Sequence, residues 1–396
     1  MSCADREPHP FRAWTGSLPL QKRNPHPSRG ILVLVPGNQM LKCSVPLGAA
    51  TSTLMVGNGC LRQFSEIVHN EAKRFVVISD ENVKHAVGGS LFEASPWLTI
   101  PPGESSKDIG QATRLWSELI SLNFDRRSAV VAVGGGVVGD LGGFVASTFL
   151  RGVPFYSVPT SLLAMVDASV GGKVGIDLPE GKNLVGQFYP ARVVAVDPEL
   201  LSTLPLREWS GGMAEVIKHG ILSGPELWSL VTGFGPENRG EKERLNHLIT
   251  EAVGVKVDVV SQDPYERTGL RATLNLGHSY GHAIEWCSGY GLGHGEAVGL
   301  GLLAGVRLSK AMGLLQQDFE PELVDVLKRW RLPTVLPSDD RYTWEALSLA
   351  LSRDKKNKDG RWCFILPVKV GRVETVEDAP KSMVRDVFLS LKGKQD

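Results

Sequence analysis

Short apolar runs alternate with helix-like segments between residues 75 and 196. The runs are rich in β-branched and aromatic residues, which predicts strands, and they lie at 75–78, 97–100, 129–133, 155–158 and 192–196. Apolar residues at 109, 115, 119 and 120 predict an amphipathic helix that opens at Ser105, and a further helix is expected from Gly134 onward. This alternation is typical of a parallel sheet covered by helices.

The pattern changes after Pro198. From 208 to about 331 apolar residues recur every three or four positions, which predicts a mainly helical region. Residues 355–360 read as a polar turn, and 362–366 as a hairpin strand. We therefore predict a poorly ordered extension over 1–40, an α/β domain over 41–204 and a mainly α-helical domain over 205–396.

Composition narrows the class of protein. The 396 residues hold 43 Lys+Arg against 43 Asp+Glu, so we expect neither a nucleic-acid partner nor a polybasic membrane surface. No run of 18 apolar residues predicts a membrane span, and residues 1–30 do not resemble a secretory signal. Five scattered cysteines without a C-x-x-C pair favour a reducing, cytoplasmic location.

Glycine is concentrated near the middle of the chain. Twelve of the 44 glycines lie within 134–186, and 134–139 (GGGVVG) matches G-x-G-x-x-G between a predicted strand and a predicted helix. Backbone N–H groups there could approach a pyrophosphate. An ordinary dinucleotide fold also needs an acid about 20 residues later, and residues 155–160 contain none. We predict phosphate or dinucleotide binding on a different fold, with a turn that simply requires glycine as the alternative.

Arg151, Lys173 and Lys182 follow in a stretch with few acids. Such a stretch suits an anionic ligand, and a solvated loop with incidental charges is the alternative.

Histidines form the second candidate site. His278 and His282 are spaced i, i+4, which places both imidazoles on one helix face, and His294 follows after 16 residues. This spacing predicts a zinc-like divalent site but leaves open which two histidines bind. Glu215, Glu285 and Glu296 are candidate carboxylates. Glu215 shares a face with Lys218 at an expected helix start, so a surface ion pair is its alternative role.

Six segments together resemble the 3-dehydroquinate synthase family of the shikimate pathway, within the sugar-phosphate cyclases. They are GGGVVGDLGGFVAST (134–148), RGVPFYSVPTSLLAMVDASVGGKVGID (151–177), GKNLVGQF (181–188), GGMAEVIKHG (211–220), GLRATLNLGHSYGHAIE (269–285) and GHGEAVGLG (293–301). The resemblance covers residues 75–366, although 263–268 is one residue longer than the commoner spacing. It implies an N-terminal α/β NAD-binding domain, a C-terminal α-helical domain and an active site in the cleft between them.

The same resemblance implies residue roles. Zinc, with cobalt as an alternative, would be held by Glu215, His278 and His294. NAD would contact Asp80, Asn82, Glu104, Lys107, Gly135, Gly136, Asp140, Thr160, Ser161, Lys182 and Thr203. The substrate and catalytic set would be Arg151, Asp167, Lys173, Asn183, Lys218, Lys256, Arg271, Asn275, His282 and Lys356.

The implied reaction converts a phosphorylated sugar acid, 3-deoxy-D-arabino-heptulosonate 7-phosphate, to 3-dehydroquinate and phosphate. It proceeds by transient NAD-dependent oxidation, phosphate elimination, reduction and intramolecular aldol closure, in a homodimer. Three alternatives are a cyclase of the sedoheptulose 7-phosphate type, an iron-type alcohol or glycerol dehydrogenase, and a non-catalytic NAD-binding protein. Segments 171–173 and 275–278 are intact, and no lysine or metal-type ligand is missing. These features favour a 3-dehydroquinate synthase over the three alternatives.

Overall fold

The computed structural model describes residues 33–34, 40–88, 92–353 and 361–393. The predicted extension over 1–40 lies outside them except for residues 33, 34 and 40, and the predicted turn over 355–360 lies outside entirely.

Twelve strands are found among the described residues. They are β1 (Val33–Leu34), β2 (Leu41–Leu47), β3 (Ala50–Val56), β4 (Arg74–Asp80), β5 (Trp97–Ile100), β6 (Ser128–Gly134), β7 (Phe155–Pro159), β8 (Lys173–Leu178), β9 (Gly181–Phe188), β10 (Val193–Val196), β11 (Cys363–Lys369) and β12 (Arg372–Glu377).

Twelve α-helices accompany them in the same ranges. They are α1 (Cys60–Glu71), α2 (Glu81–Val87), α3 (Ile109–Ser121), α4 (Gly136–Thr148), α5 (Leu206–Ser223), α6 (Pro225–Thr232), α7 (Lys242–Gln262), α8 (His278–Cys287), α9 (His294–Ala311), α10 (Glu320–Arg329), α11 (Trp344–Ser352) and α12 (Lys381–Ser390).

Eight strands form one sheet in the order β1-β2-β3-β10-β7-β6-β4-β5. The six strands from β3 to β5 are parallel, and β2 pairs antiparallel with both β1 and β3. At the centre, Val131 of β6 faces Val77 on one side and Tyr156 on the other. Every residue of β6 is buried, as expected for a strand covered on both faces.

The two faces of the sheet pack into different clusters. Val77, Val131 and Tyr156 point towards α1 and pack against Phe64. Alternate residues such as Val130 point the other way, into a cluster that runs through α3, α4 and the helices from α5 onward. The helical part is therefore joined to one face of the sheet by continuous apolar packing.

The helical part is built around α9. It contacts α5, α8, α10, α12 and β11, and most of its residues from 295 to 309 are buried. The β11–β12 hairpin pairs antiparallel. No described helix combines the length and apolarity that crossing a membrane requires. The α/β sheet followed by a helical domain confirms the predicted fold class, and the division at residues 204 and 205 stays a prediction.

The five predicted strands are all present, each within two residues of its expected ends, and α5 to α10 occupy the predicted helical region. The helix predicted from Ser105 is corrected, because it begins only at Ile109. Asp108 caps it by accepting a backbone N–H of the first turn at 2.7 Å. Ile109 and Ile120 are exposed while Leu115 is buried, so the predicted apolar face was wrong at both ends. The β2–β3 and β8–β9 hairpins were missed.

The segment over 263–268 is folded around one carboxylate. Asp263 is 2% exposed and accepts backbone N–H groups from Arg267 at 2.7 Å, Thr268 at 3.3 Å and Arg271 at 3.1 Å. Burial alone would raise the pKa of Asp263, but these donors hold it below its ordinary value. Asp263 thus ties the 263–268 loop directly to the backbone of Arg271.

We predict that Asp263→Ala lowers the free energy of unfolding by about 1–3 kcal/mol at neutral pH, because three backbone donors lose their acceptor. The carboxylate stabilises the fold only when ionised, so its contribution is lost as the pH falls below about 4. Urea unfolding at pH 7 and at descending pH measures both effects. Asp325→Ala removes an exposed ion pair with Arg329 and is the control, expected to change stability by less than about 0.5 kcal/mol. Equal stabilities for the two variants would contradict the role of Asp263.

Candidate active site and metal centre

The carboxyl ends of β4, β6 and β7 open on a cleft of about 1770 Å³, whose other wall comes from the helical part of the chain. Ligands of open parallel sheets bind at this edge. All eleven residues predicted to contact NAD line the cleft: Asp80, Asn82, Glu104, Lys107, Gly135, Gly136, Asp140, Thr160, Ser161, Lys182 and Thr203. The structure therefore brings these residues together, and their contacts with NAD stay a prediction.

The glycine-rich turn presents the start of α4 to this cleft. Gly135 is the N-cap and α4 begins at Gly136, and no described side chain caps the helix. The N–H groups of the first turn and the positive end of the helix dipole are therefore available to a phosphate. The residues present thus fit a dinucleotide pyrophosphate.

A buried ion pair lies beside this turn. Lys107 is 4% exposed, and its Nζ lies 2.6 Å from Asp140 Oδ2 and 2.5 Å from Asn183 Oδ1. Burial opposes the charge of Lys107, but Asp140 and Glu104 outweigh it and raise the pKa of the ammonium. Lys107 therefore stays charged and links the turn to the β8–β9 hairpin.

Three helices bring together the proposed metal ligands. Glu215 lies within α5, His278 begins α8 and His294 begins α9. One ligand atom from each lies within 4.8 Å of the other two. Glu215 Oε1 is 3.5 Å from His278 Nε2 and 3.4 Å from His294 Nε2. Gly211, expected at a helix start, instead lies well inside α5, and the ion pair of Glu215 with Lys218 is buried rather than on the surface.

The surroundings of Glu215 fit a bound cation. Its side chain is fully buried, Oε2 lies 2.5 Å from Lys218 Nζ, and Oε1 has no hydrogen-bond donor among the described residues. Burial lowers the pKa of His278 well below its ordinary value, which leaves a neutral imidazole with a lone pair. Burial also opposes charge on His294, but Glu215 and Glu285 on either side raise its pKa to about 10. A carboxylate with a free oxygen facing two Nε2 atoms fits a divalent cation of the zinc type.

His282 lies beside this group without joining it. Its ring centroid is 5.2 Å from that of His278 and 6.1 Å from that of His294. It is exposed and lines the cleft, as does Asn275. Of the open alternatives, the structure places His278 and His294, not His282, around Glu215.

A second buried charge cluster adjoins the metal group. Asp167 lines the cleft and is ion-paired with Lys256. Burial alone would raise the pKa of Asp167, but Lys256 and Lys218 hold it below its ordinary value. Arg271 is 4% exposed and donates to the Gly171 carbonyl at 3.1 Å. Lys218, Lys256 and Arg271 thus lie together in the layer behind the cleft surface.

Each described lysine of the predicted sets is paired with an acid. The pairs are Lys107–Asp140, Lys173–Glu266, Lys182–Glu285, Lys218–Glu215 and Lys256–Asp167. The local scarcity of acids around 151–182 is therefore misleading, because the chain supplies the partners of Lys173 and Lys182 from 93 and 103 residues away.

Besides the three cations behind the cleft surface, Arg151 and Lys173 of the predicted substrate set also do not line the cleft. Arg151 is exposed, has a left-handed backbone (φ 69°) and does not line the cleft of its own chain. Lys173 borders a small neighbouring cavity instead. Lys356 lies outside the described residues.

Sequence reasoning placed Glu285 among the competing metal ligands, and the structure places it elsewhere. Its side chain is 6% exposed, with one oxygen 2.7 Å from Lys182 Nζ and the other 3.4 Å from His294 Nδ1. Burial alone would raise the pKa of Glu285, but His294 and Lys182 lower it to about 2. Tyr290, whose ring centroid is 4.8 Å from Lys182 Nζ, was missed. No local motif signals either contact.

The fold and this site define a class of protein: an α/β sheet with an uncapped, glycine-rich helix start, facing a helical domain with a Glu–His–His group across one cleft. Comparison with known proteins makes this specific. Residues 97–211 match the family model for the N-terminal part of 3-dehydroquinate synthase, and 212–357 match the model for its C-terminal part. The 3-dehydroquinate synthase of Symbiobacterium thermophilum is 41% identical over 351 residues, 86% of this chain and 97% of that protein.

Solved structures agree. A 2-deoxy-scyllo-inosose synthase complexed with carbaglucose-6-phosphate, NAD⁺ and Co²⁺ has a TM-score of 0.78 at 26% identity, covering 88% of this chain and 99% of that one. A 2-epi-5-epi-valiolone synthase from Streptomyces hygroscopicus with NAD⁺ and Zn²⁺ bound has a TM-score of 0.78 at 26% identity, covering 87% and 98%. The chain belongs to the 3-dehydroquinate synthase family, and its function is that of this family in the shikimate pathway.

One close backbone contact sets the position of His294. A Cβ added to Gly295 would overlap the Cα and carbonyl of Gly211, whereas a Cβ added to Gly211 would have nothing within 4 Å. Gly211 precedes Glu215 by one helical turn. The absence of a side chain at 295 therefore lets α9 approach α5 until His294 reaches Glu215.

We predict that Gly295→Ala weakens Zn²⁺ binding and lowers the free energy of unfolding by about 1–3 kcal/mol, because the added methyl group forces the two helices apart. Chelator competition and thermal unfolding measure these effects. Gly211→Ala is the matched control. Gly211 is the residue that Gly295 contacts, but a methyl group added to Gly211 points into open space. That variant is expected to keep its metal affinity and to gain at most about 1 kcal/mol from helix propensity. Equal metal affinity in both variants would refute this account.

Proposed function

We propose that this chain forms 3-dehydroquinate from 3-deoxy-D-arabino-heptulosonate 7-phosphate with NAD and zinc bound in the one cleft. The observation that carries the proposal is that one cleft is lined both by the uncapped start of α4 and by His294, whose ring meets Glu215 and His278 directly behind the cleft surface. The two cyclase structures that share the fold hold NAD⁺ together with Co²⁺ or Zn²⁺, which supports the same pair of cofactors here.

When bound, NAD would accept a hydride from the substrate and return it, and the metal would polarise the oxygen at that carbon. The chain's contribution is positioning. The first turn of α4, with Gly135 and Gly136, would hold the pyrophosphate. Asp80, at the carboxyl end of β4, would contact the adenosine part of NAD. It would thus supply the acid that is missing after the glycine-rich turn.

His282 is the residue that we assign to proton transfer. It lines the cleft beside His278 and His294, so a substrate hydroxyl bound next to these histidines would be within its reach. A neutral imidazole could take the proton of the C5 hydroxyl and give it back later. Asn275, three residues before His278 on the same wall, would orient the same hydroxyl region.

The buried cations would hold the two anionic ends of the substrate. Arg271 is suited to a carboxylate because its guanidinium can donate two parallel hydrogen bonds. Lys256 and Lys218 are already balanced by Asp167 and Glu215, so a substrate phosphate must compete with those carboxylates. Such competition favours a dianion over a monoanion and disfavours solvent ions.

A second candidate is a related cyclase that acts on another sugar phosphate. The observation behind it is the high structural similarity to two synthases with different products. The 41% identity to a 3-dehydroquinate synthase over almost its whole length favours the first candidate.

The decisive experiment is to incubate the purified protein with the heptulosonate phosphate, catalytic NAD⁺ and Zn²⁺, and to measure phosphate and 3-dehydroquinate. We expect equimolar products without net NADH. Phosphate release from sedoheptulose 7-phosphate or glucose 6-phosphate, with none from the heptulosonate, would overturn the assignment.

Variants locate the chemistry in that assay. His282→Ala should lower kcat by about 10²-fold or more while it retains its metal, because it removes a proton carrier that is not a ligand. His247→Ala replaces an exposed histidine of α7 and is the control, expected to keep full activity. Full activity in His282→Ala would remove that residue from the mechanism.

We also propose a homodimer in which a second copy supplies Arg151. This residue is assigned to the substrate by the family resemblance, is exposed and does not line the cleft of its own chain, so we infer that a symmetric partner presents it there. The four described cysteines are all free thiols, which supports the cytoplasmic location that belongs to the same proposal.

Subunit mixing tests the placement of Arg151. Arg151→Ala and His294→Ala homodimers should each be inactive, but their heterodimer contains one cleft with an intact metal site and an arginine from its partner. With random pairing we expect about one quarter of wild-type activity. Wild-type chain mixed with each variant controls for subunit exchange. Exchange without recovered activity would show that Arg151 acts in its own chain, and an active Arg151→Ala homodimer would show that the residue is not needed.

A further inference from the structure

Glu285 contacts a metal ligand from the side opposite the metal. Its Oε2 lies 3.4 Å from His294 Nδ1, while His294 Nε2 lies 3.4 Å from Glu215 Oε1. The two ring nitrogens of His294 thus face two different carboxylates. Glu285 is not a member of the group of ligand atoms that converge within 4.8 Å.

His278 shows the same arrangement with a different acceptor. Its Nδ1 lies 3.1 Å from the Leu276 carbonyl, and its Nε2 faces Glu215. A carbonyl oxygen can only accept, so Nδ1 carries the proton and Nε2 keeps its lone pair for a metal. For His278 the backbone selects the ligand tautomer, and for His294 the equivalent position is taken by the side chain of Glu285.

The other oxygen of Glu285 is held by the α/β part of the chain. Lys182, on β9, donates to Oε1 at 2.7 Å and also lies over the ring of Tyr290. The lysine ammonium has only hydrogen-bond donors, so its partner on residue 285 must be an oxygen. Lys182 therefore determines which oxygen of the carboxylate is left to accept from His294.

We propose that Glu285 is a positioning residue for the metal centre: it holds His294 in the tautomer and orientation in which Nε2 binds the metal, while Lys182 holds Glu285. This inference rests on the ligand set proposed above. In the sequence, Glu285 lies between His278 and His294 and could equally be a metal ligand. The structure instead gives it a role behind one of the histidine ligands. Carboxylates behind a metal-bound histidine typically change metal affinity by about 10–100-fold.

Glu285→Gln is the sharpest test because the two shapes are nearly identical. Lys182 will claim the amide oxygen, which leaves the NH₂ group facing His294 Nδ1. That donor favours a proton on Nε2, the wrong tautomer for a ligand. We expect Zn²⁺ and Co²⁺ to bind the chelator-treated full-length protein at least about tenfold more weakly, with an altered visible spectrum of the Co²⁺ form and unchanged circular dichroism of the metal-free protein. Wild-type affinity for both ions would overturn the proposal.

Glu296→Gln is the matched control. Glu296 lies on the same helix as His294, but it accepts from the Gly293 N–H at 2.7 Å and approaches Arg207 at 3.4 Å, away from the ligand atoms. Its metal affinity should stay within about twofold of the wild type. If Glu285→Gln does not fold, Glu285→Asp takes its place, since the shorter carboxylate cannot reach both partners. Wild-type affinity in that variant would equally overturn the proposal.

A double variant tests the role of Lys182. In Lys182→Met/Glu285→Gln the amide is free to turn its oxygen towards His294. Adding Lys182→Met to Glu285→Gln should therefore raise the Zn²⁺ affinity, and by more than Lys182→Met changes the Zn²⁺ affinity of the wild type. An additive result would contradict the orientation argument.

His294→Ala separates this proposal from the ligand assignment. It should lose the metal altogether, and retained stoichiometric Zn²⁺ would refute the ligand set itself. Loss of metal in His294→Ala with wild-type affinity in Glu285→Gln would overturn only the role of Glu285.

Discussion

The site depends on one carboxylate that has been removed entirely from water. Glu215 is fully buried on α5, with Lys218 at one oxygen and two imidazole nitrogens facing the other. An ionised carboxylate in such surroundings is costly unless opposite charge and hydrogen bonds offset the lost hydration. Lys218 provides only part of that compensation. A divalent cation between Glu215, His278 and His294 would complete it, and α5, α8 and α9 meet in the arrangement that such a cation needs.

The same constraint relates the helical part to the sheet. Lys218 is ion-paired with Glu215, the nearby charge of Asp167 also helps to raise its pKa, and Asp167 is itself ion-paired with Lys256. On the other side, Glu285 connects His294 to Lys182 on the β8–β9 hairpin. Charges therefore run continuously from the metal group to both walls of the cleft. An anionic substrate or cofactor that replaces one carboxylate in an ion pair changes the electrostatic interactions of all the other pairs. This arrangement suits an enzyme that must bind a particular anion rather than ions from the solvent.

Local patterns predicted what local interactions determine. The strands could be read because β-branched runs such as 129–133 are buried on both faces of a parallel sheet, and Asp80 could be read as the end of a strand and the cap of a helix. The spacing of His278, His282 and His294 indicated a metal but not its ligands, since all three lie near one another and only the positions of α8 and α9 relative to Glu215 distinguish them. The acidic partners of Lys173 and Lys182 come from 93 and 103 residues away, and a periodic pattern carries no information about such pairs. Family resemblance, rather than spacing, supplied the ligand set.

We predict that the chain binds one divalent cation through two histidines and a buried glutamate. Zinc K-edge X-ray absorption of protein purified with its metal measures this coordination directly. The account predicts four to five nitrogen or oxygen neighbours at about 2.0–2.1 Å, with multiple scattering from two imidazole rings. Sulfur neighbours at about 2.3 Å, or scattering from a single imidazole or from three, would contradict it.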